Sequence, residues 1–254
     1  MRLLTLARDL SRRKAREREG LFVVEGVRAG EELARSPLEV IGVLAAPQLA
    51  EGERGARLRS AFAGRGIAVT DVTDREFQSA AQTESPQGVL AVARAPGYSL
   101  DPVPPDASRI LVLDAVQDPG NVGTLIRTAA ALGTWATVAL PGTVDVWNAK
   151  VVRSAMGAHF HYPVVHASWE ALRDFCTRRD FALWGADMGG ADVASLRAPA
   201  RCVLAVGNEG SGLSPQVRAA LAQCVSLPIS PVVESLNVAV AAGILLYQLR
   251  PDAP

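Results

Sequence analysis

The chain has 254 residues, enough for one large or two modest domains and for a core that needs no disulfide or metal staple. Hydrophobic residues make up 49% and charged residues 20%, the balance of a globular rather than a disordered chain. Lys+Arg and Asp+Glu both number 26, so the formal net charge is zero. That excludes a histone-like polybasic protein but leaves room for a local basic patch.

The cations are nearly all arginine, with Lys14 and Lys150 the only lysines. Cys176, Cys202 and Cys224 are odd in number and widely spaced, which fits neither a disulfide framework nor a zinc site. They read as buried apolar residues of a cytosolic protein. No apolar run reaches the ~18 residues of a spanning helix. Met1 to Glu19 carries charges throughout and no apolar signal core. A cytoplasmic chain with no membrane partner is expected.

In the N-terminal part, short apolar runs alternate with helical patterns. LFVVEG at 21–26 reads as a strand, VRAGEELARS as a helix, and EVIGVLAA at 39–46 as a second strand. ARLRSAFAGRG is a helix ending at glycine, AVTDV a short strand, TDREFQSAA a helix with a Thr/Asp start, and GVLAVAR at 88–94 a closing strand. This predicts a small α/β domain over 1–95. Residues 96–108 contain Pro96, Pro102, Pro104 and Pro105 and read as a linker. The remainder, 109–254, opens with RILVLDAV at 109–116, a strand buried on both faces by its pattern. A helix ending at Gly133 follows, then strands at 135–140, 181–187, 201–207 and 224–229. Strands alternating with helices imply a parallel sheet. The last helix, Ser235 to Leu249, is apolar on nearly every face, and such a helix is buried. It has more apolar surface than one small domain covers, which points to a dimer with an outward-facing position such as Leu246 at the seam.

Three segments just beyond apolar strands concentrate Gly, Asn, Ser and acidic residues, where an open parallel sheet binds ligands. In LDAVQDPGNVGTLIRTAAALG, Asn121 sits near a helix start, where it could act as an N-cap. Arg127 lies on an apolar helix with no acid at helical spacing, so it is expected to face a site. In LAVGNEGSGLS, three glycines surround Glu209. The loop lacks the Gly-Lys-Ser/Thr ending of a phosphate loop and is not GxGxxG, which argues against an NTPase and a nucleotide-binding oxidoreductase. In LPISPVVESLNVAVAAGILLYQL, Ser235 can cap the helix and Asn237 falls in its first turn. His159 and His161 read as two positions on one face of a strand, with no third ligand nearby in sequence; no metal is expected.

In this order and spacing the three blocks resemble the SpoU family of RNA ribose methyltransferases, within the SPOUT superfamily. The first resembles D-P-x-N-x-G-x-x-x-R-T-A through Asp118, Pro119, Asn121, Gly123, Arg127, Thr128 and Ala129. The second resembles G-N/A-E-x-x-G-L through Gly207, Asn208, Glu209, Gly212 and Leu213. The third is similar to I/L-P-(loop)-S-L-N-V through Leu227, Pro228, Ser235, Leu236, Asn237 and Val238. SAMGAHFHYPV at 154–164 resembles the family's S-x-G-A-x-x-x-x-P segment, and EGLFVVEG and ESPQGVLAV its N-terminal substrate-binding domain.

The resemblance implies a parallel α/β sheet with a deep C-terminal trefoil knot, joined to a small α/β substrate-binding domain. It implies S-adenosylmethionine in a pocket lined by Gly207, Leu227, Ile229 and Leu236, with glycines for close approach and apolar walls for adenine. It implies methyl transfer to a ribose 2′-hydroxyl in RNA by a homodimer, and the two-domain layout leans to ribosomal rather than transfer RNA. Arg127 takes the catalytic position, with Asn121, Glu209, Ser235 and Asn237 positioning it and the ribose. RNA is expected on the N-terminal domain through Arg12, Arg13, Lys14, Arg16 and Arg18, with Arg28 and Gln87 weaker candidates. The competing reading is a non-catalytic RNA-binding or assembly factor on the same fold.

Overall fold

The computed structural model describes residues 2–250; Met1 and 251–254, at the outer ends of the two expected domains, lie outside the described residues. The chain divides into two compact units, Met1–Pro96 with Trp147–His161, and Gly97–Val146 with Tyr162–Pro254.

The first unit runs α1 (Arg2–Asp9), α2 (Arg13–Glu19), β1 (Leu21–Glu25), α3 (Val27–Arg35), β2 (Val40–Ala45), α4 (Glu53–Gly64), β3 (Val69–Asp71), α5 (Asp74–Gln78) and β4 (Val89–Arg94). Its sheet has the order β1-β4-β2-β3, with β4 antiparallel to both neighbours and β2 parallel to β3. Local signals start and stop these elements. Thr73 and Glu76 form a reciprocal capping box at α5, and Gly20 ends α2 at φ 64°, a left-handed turn suited to glycine. Phe22, Phe62 and Phe77 are fully buried.

The second unit contains β5 (Arg109–Asp114), α6 (Pro119–Ala131) and β6 (Ala136–Ala139). The chain then adds α7 (Ala149–Ser154) to the first unit, where Trp147 and Phe160 pack on Phe22 with ring centroids 4.4 and 6.1 Å away. Residues 147–161, read from the sequence as part of the C-terminal domain, therefore fall in the first unit. The second unit resumes with β7 (Val164–His166), α8 (Trp169–Arg179), β8 (Ala182–Asp192), β9 (Cys202–Gly207), α9 (Pro215–Ala219), β10 (Gln223–Ser226) and α10 (Val238–Gln248). Its sheet is parallel throughout, in the order β10-β8-β9-β5-β6-β7. Every residue of β5 and β9, at its centre, is buried, as the continuous apolar runs predict. No helix of the described residues is long and apolar enough to cross a membrane.

Several expectations change. The proline-rich segment is not a free tether: Leu100 and Ala107 belong to the second unit's core, and Asp101 pairs with Arg178 and Arg179 of α8. His159 and His161 are not on a strand. His159 is buried in a 3-10 turn, while His161 is exposed. Cys176 and Cys202 are buried as expected, and burial pushes their thiols up to about 11 and about 12; Cys224 is half-buried. The last helix starts at Val238 and is not buried all round. Ala242, Leu245, Leu246 and Leu249 face inward, whereas Val240, Ile244 and Tyr247 are 52%, 41% and 52% exposed. Leu246 is thus a core residue, and the open apolar row lies at i, i+4 and i+7.

Arg109 fastens the end of that helix. Its buried guanidinium donates to the carbonyl of Leu249, to that of Ser108 at 2.7 Å and to that of Ala200 at 2.9 Å. A cation at a helix C-terminus satisfies carbonyls the helix leaves open and complements its dipole. Arg109→Leu should leave these carbonyls without a donor and cost about 2 kcal/mol or more. The readout is the urea midpoint at unchanged m-value. A variant within about 0.5 kcal/mol of wild type would show that water already satisfies them.

Candidate active site

Three loops at the C-terminal ends of strands in the second unit build one constellation. The first follows β5, where Ala115 adopts φ 60°, a left-handed conformation that costs a non-glycine residue roughly 1–2 kcal/mol. It turns the chain toward α6, whose N-cap is Asp118: its carboxylate accepts from the Asn121 N–H at 2.8 Å, and Pro119 takes the first helical position. Asn121 is therefore not the cap, and its side chain is free for other partners.

The second loop follows β9 and is organised by Asn208. Its amide donates to the Ala115 carbonyl at 3.0 Å, and its oxygen accepts from the N–H groups of Gly210 and Ser211 at 2.9 and 3.0 Å. Asn208 and Gly212 also exchange backbone hydrogen bonds. A Cβ on Gly207 would lie 2.2 Å from the Gly212 carbonyl carbon. Glycine at 207 is thus required by the loop's own close packing, whereas the sequence reading assigned it to ligand approach. Asp114, buried at the end of β5, accepts from the Ser214 N–H at 2.6 Å and fixes the far side of this loop.

The tight turn presents Glu209. Its carboxylate accepts from the N–H groups of Gln117 and Asp118 at 3.1 and 3.0 Å and from the Asn121 amide at 3.0 Å. Partial burial pushes this carboxyl up, but the hydrogen bonds outweigh it and hold its pKa below the ordinary value. The third loop, between β10 and α10, ends at Asn237. The Asn237 amide donates to the Asn121 oxygen at 2.9 Å, and its own oxygen accepts from the N–H of Ala239 at 2.9 Å and Val240 at 3.3 Å. Asn237, not Ser235, is the N-cap of α10.

Beside this network lies a cavity of about 640 Å³, within the range of small-molecule sites. Gly207, Leu227, Ile229 and Leu236, predicted to line a pocket, all line it, as do Glu209, Ser235 and Asn237. Asn121 joins them by hydrogen bonds. Arg127 is exposed on α6, about 9 Å further along the axis than Asn121, and no side chain among the described residues pairs with it. It avoids the cost of a buried charge by reaching solvent. Asp187 and Arg218, also in the cavity wall, carry no sequence motif that would have selected them.

In the first unit, Arg12, Lys14 and Arg28 are exposed. Arg13 pairs with Glu17 at 2.7 Å and Arg18 with Glu19 at 2.8 Å, both at the surface. Arg16 departs from the expected RNA-facing set. It is 6% exposed and donates to the carbonyls of Leu10 and Ser11 at 2.8 and 2.9 Å, joining α1 to α2. The helix turns this position inward, which a basic run in sequence does not reveal.

Glu209→Gln turns an amide toward two backbone donors and should lower thermal stability at neutral pH. The pKa of Glu209 is depressed on folding, so its contribution is present above the ordinary glutamate value of 4.5 and is lost as pH falls through the folded value. The melting difference between wild type and Glu209→Gln should hold steady down to about pH 5 and shrink toward pH 3. A difference unchanged at pH 3 would remove the carboxylate charge as its cause.

The model of the SpoU rRNA Methylase family matches residues 108–247, and that of the MRM3-like substrate binding domain matches 5–91. The chain is 35% identical to the Bacillus subtilis 23S rRNA (guanosine(2553)-2′-O)-methyltransferase RlmP over 244 residues, covering 96% of this chain and 94% of the relative. It is 32% identical to the 23S rRNA (uridine(2479)-2′-O)-methyltransferase of Streptomyces viridochromogenes, covering 94% and 85%. The crystal structure of the SpoU methyltransferase AviRb from Streptomyces viridochromogenes in complex with AdoMet superposes with a TM-score of 0.86 at 28% identity, covering 97% of this chain and 96% of that one. With its three loop motifs, its parallel sheet and these relatives, the chain belongs to the SpoU rRNA methylase family.

Proposed function

We propose that this protein transfers a methyl group from S-adenosylmethionine to a ribose 2′-hydroxyl of ribosomal RNA. The observation that carries the reading is the cavity lined by the second and third loops, which Glu209, Asn121 and Asn237 tie to the first. Its make-up suits that cofactor. Val206, Val225, Leu227 and Leu245 supply apolar wall, while Asp187 and Arg218 supply charge. When bound, the cofactor supplies an electrophilic methyl group. The ribosomal target draws its support from the 23S rRNA methyltransferases to which the chain is similar along most of its length.

In this proposal Gly207, Leu227, Ile229 and Leu236 hold the cofactor. Asn121, Glu209 and Asn237 fix the loops, and the exposed Ser235 offers a hydroxyl to the ribose. Arg127 lacks a protein partner among the described residues, so its donors are free for RNA. A guanidinium stays protonated and is no base at neutral pH. It instead holds a nearby phosphate or stabilises the 2′-oxygen as negative charge develops. The exposed cations Arg12, Lys14 and Arg28, with Arg13 and Arg18, form the phosphate-binding set of the first unit.

The knot and the homodimer belong to the same reading. The strand order, with β10 at one edge and α10 returning to pack on α6, supports the first. The open row Val240, Ile244 and Tyr247, with Val232 and Val233 also exposed, supports the second. The bacterial rRNA methyltransferase relatives support a cytoplasmic location.

Incubating the protein with labelled cofactor and bulk ribosomal RNA, then mapping 2′-O-methyl positions, tests the activity. Binding without transfer would favour the assembly-factor alternative. Arg127→Ala should lower transfer by about 100-fold or more, the scale of a lost transition-state donor, with cofactor affinity within a few-fold. Arg127→Lys should fail as well, because a point charge does not replace the planar fork. Near-normal transfer in Arg127→Ala would remove this residue from the mechanism.

For assembly, sedimentation at micromolar concentration should show a dimer, and Ile244→Asp a folded monomer. A monomeric wild type would refute the interface.

A further inference from the structure

The register of β8 against β10 breaks beside the cavity. Cys224 of β10 pairs with Gly185 of β8, yet the next residue, Val225, pairs with Ala191. Residues 186–190 therefore leave the ladder between two paired positions. Such an irregularity re-aims side chains and is common beside active sites. Here it carries Asp187 and Met188 into the cavity wall. The excursion is held in place: the Asp187 carboxylate accepts from the Gly189 N–H at 3.2 Å, and the Ser226 hydroxyl donates to the Gly190 carbonyl at 2.8 Å.

Asp187 meets Arg218 of α9, whose guanidinium donates to its second oxygen. The pair sits against Gly212, at φ 70°, where an added Cβ would come within 3.6 Å of the arginine. The arginine side chain is 49% exposed and the aspartate 22%, so both keep capacity for a ligand. The other donors of Arg218 have no partner among the described residues. The remaining charged lining residues are Glu209 and Glu234. Glu209 is committed to Gln117, Asp118 and Asn121, and Glu234 has no cation beside it in the wall.

We infer that Asp187 and Arg218 receive the amino-acid head of the cofactor, the aspartate taking its ammonium and the arginine its carboxylate. The inference rests on the methyltransferase reading and names the residues that read one end of its cofactor. A zwitterion leaving water needs both charges met, and the Asp187–Arg218 pair is the opposite-charge pair in this wall. A guanidinium matches a carboxylate with two parallel donors. A half-exposed ion pair adds little to stability by itself, so its effect should appear in binding.

Titration calorimetry with two probes tests this. S-adenosylhomocysteine carries the head; 5′-methylthioadenosine keeps the adenosine and thioether but lacks it. Wild type should prefer the first by about tenfold or more. In Arg218→Gln, and separately in Asp187→Asn, the preference should shrink to a few-fold while affinity for methylthioadenosine stays unchanged. Two variants guard against a folding defect in one. The inference is overturned if both ligands weaken by the same factor in both variants, which is the mark of a structural tie, or if the preference survives in both. Equal affinity of wild type for the two probes also sinks it and leaves the methyltransferase reading standing. A wild type that binds neither probe sinks both.

Discussion

The carboxylate of Glu209 is the point at which the ends of β5, α6 and β9 are joined. It satisfies two backbone N–H groups that precede α6 and accepts from the Asn121 amide N–H, while the Asn121 oxygen accepts from Asn237 at the start of α10. Charge-assisted hydrogen bonds are shorter and stronger than neutral ones, so one acid can fasten several irregular segments that no sheet ladder reaches. Irregular backbone around a cavity otherwise has unpaired polar groups and little to define its shape. The cavity wall depends on this constraint.

This changes how the motif residues are understood. Polar residues clustered beyond strand ends suggest groups aimed at a ligand. Most of them are aimed at one another. Asn208 spends its oxygen on its own loop, Asp118 on the α6 cap, and Asn237 its oxygen on the α10 cap and its amide N–H on the Asn121 oxygen. Arg127 and Ser235 are left with no side-chain partner among the described residues. The locked groups preorganise the loops, and the proposed function assigns the substrate to the other two.

Burial separates the two kinds of arginine. Arg109 and Arg16 are 6% exposed and donate to carbonyls at helix ends and turns, where they replace the water those groups would otherwise need. Arg127, Arg12 and Arg28 lie at the surface. In the proposed function the surface set meets phosphate, and one residue type then suits both places, because the planar fork matches a carbonyl pair and a phosphate alike.

Local signals carried much of this protein in its sequence. The apolar runs of β5 and β9, the Thr73–Glu76 box and the three glycine- and asparagine-bearing loops are written within a few residues, where steric and hydrogen-bonding rules act directly. That Gly207, Leu227, Ile229 and Leu236 share one cavity was implied by the family resemblance those motifs carry, not by the spacing itself. The tertiary structure decided what depends on distant partners. It turned Arg16 and Leu246 inward, docked the proline-rich segment, placed 147–161 with the first unit and started α10 at Val238, capped by Asn237, rather than at Ser235. It also lifted residues 186–190 off the ladder and set Asp187 against Arg218, 31 positions away. Burial and long-range hydrogen bonding are properties of the whole packed chain, and no spacing within one segment encodes them.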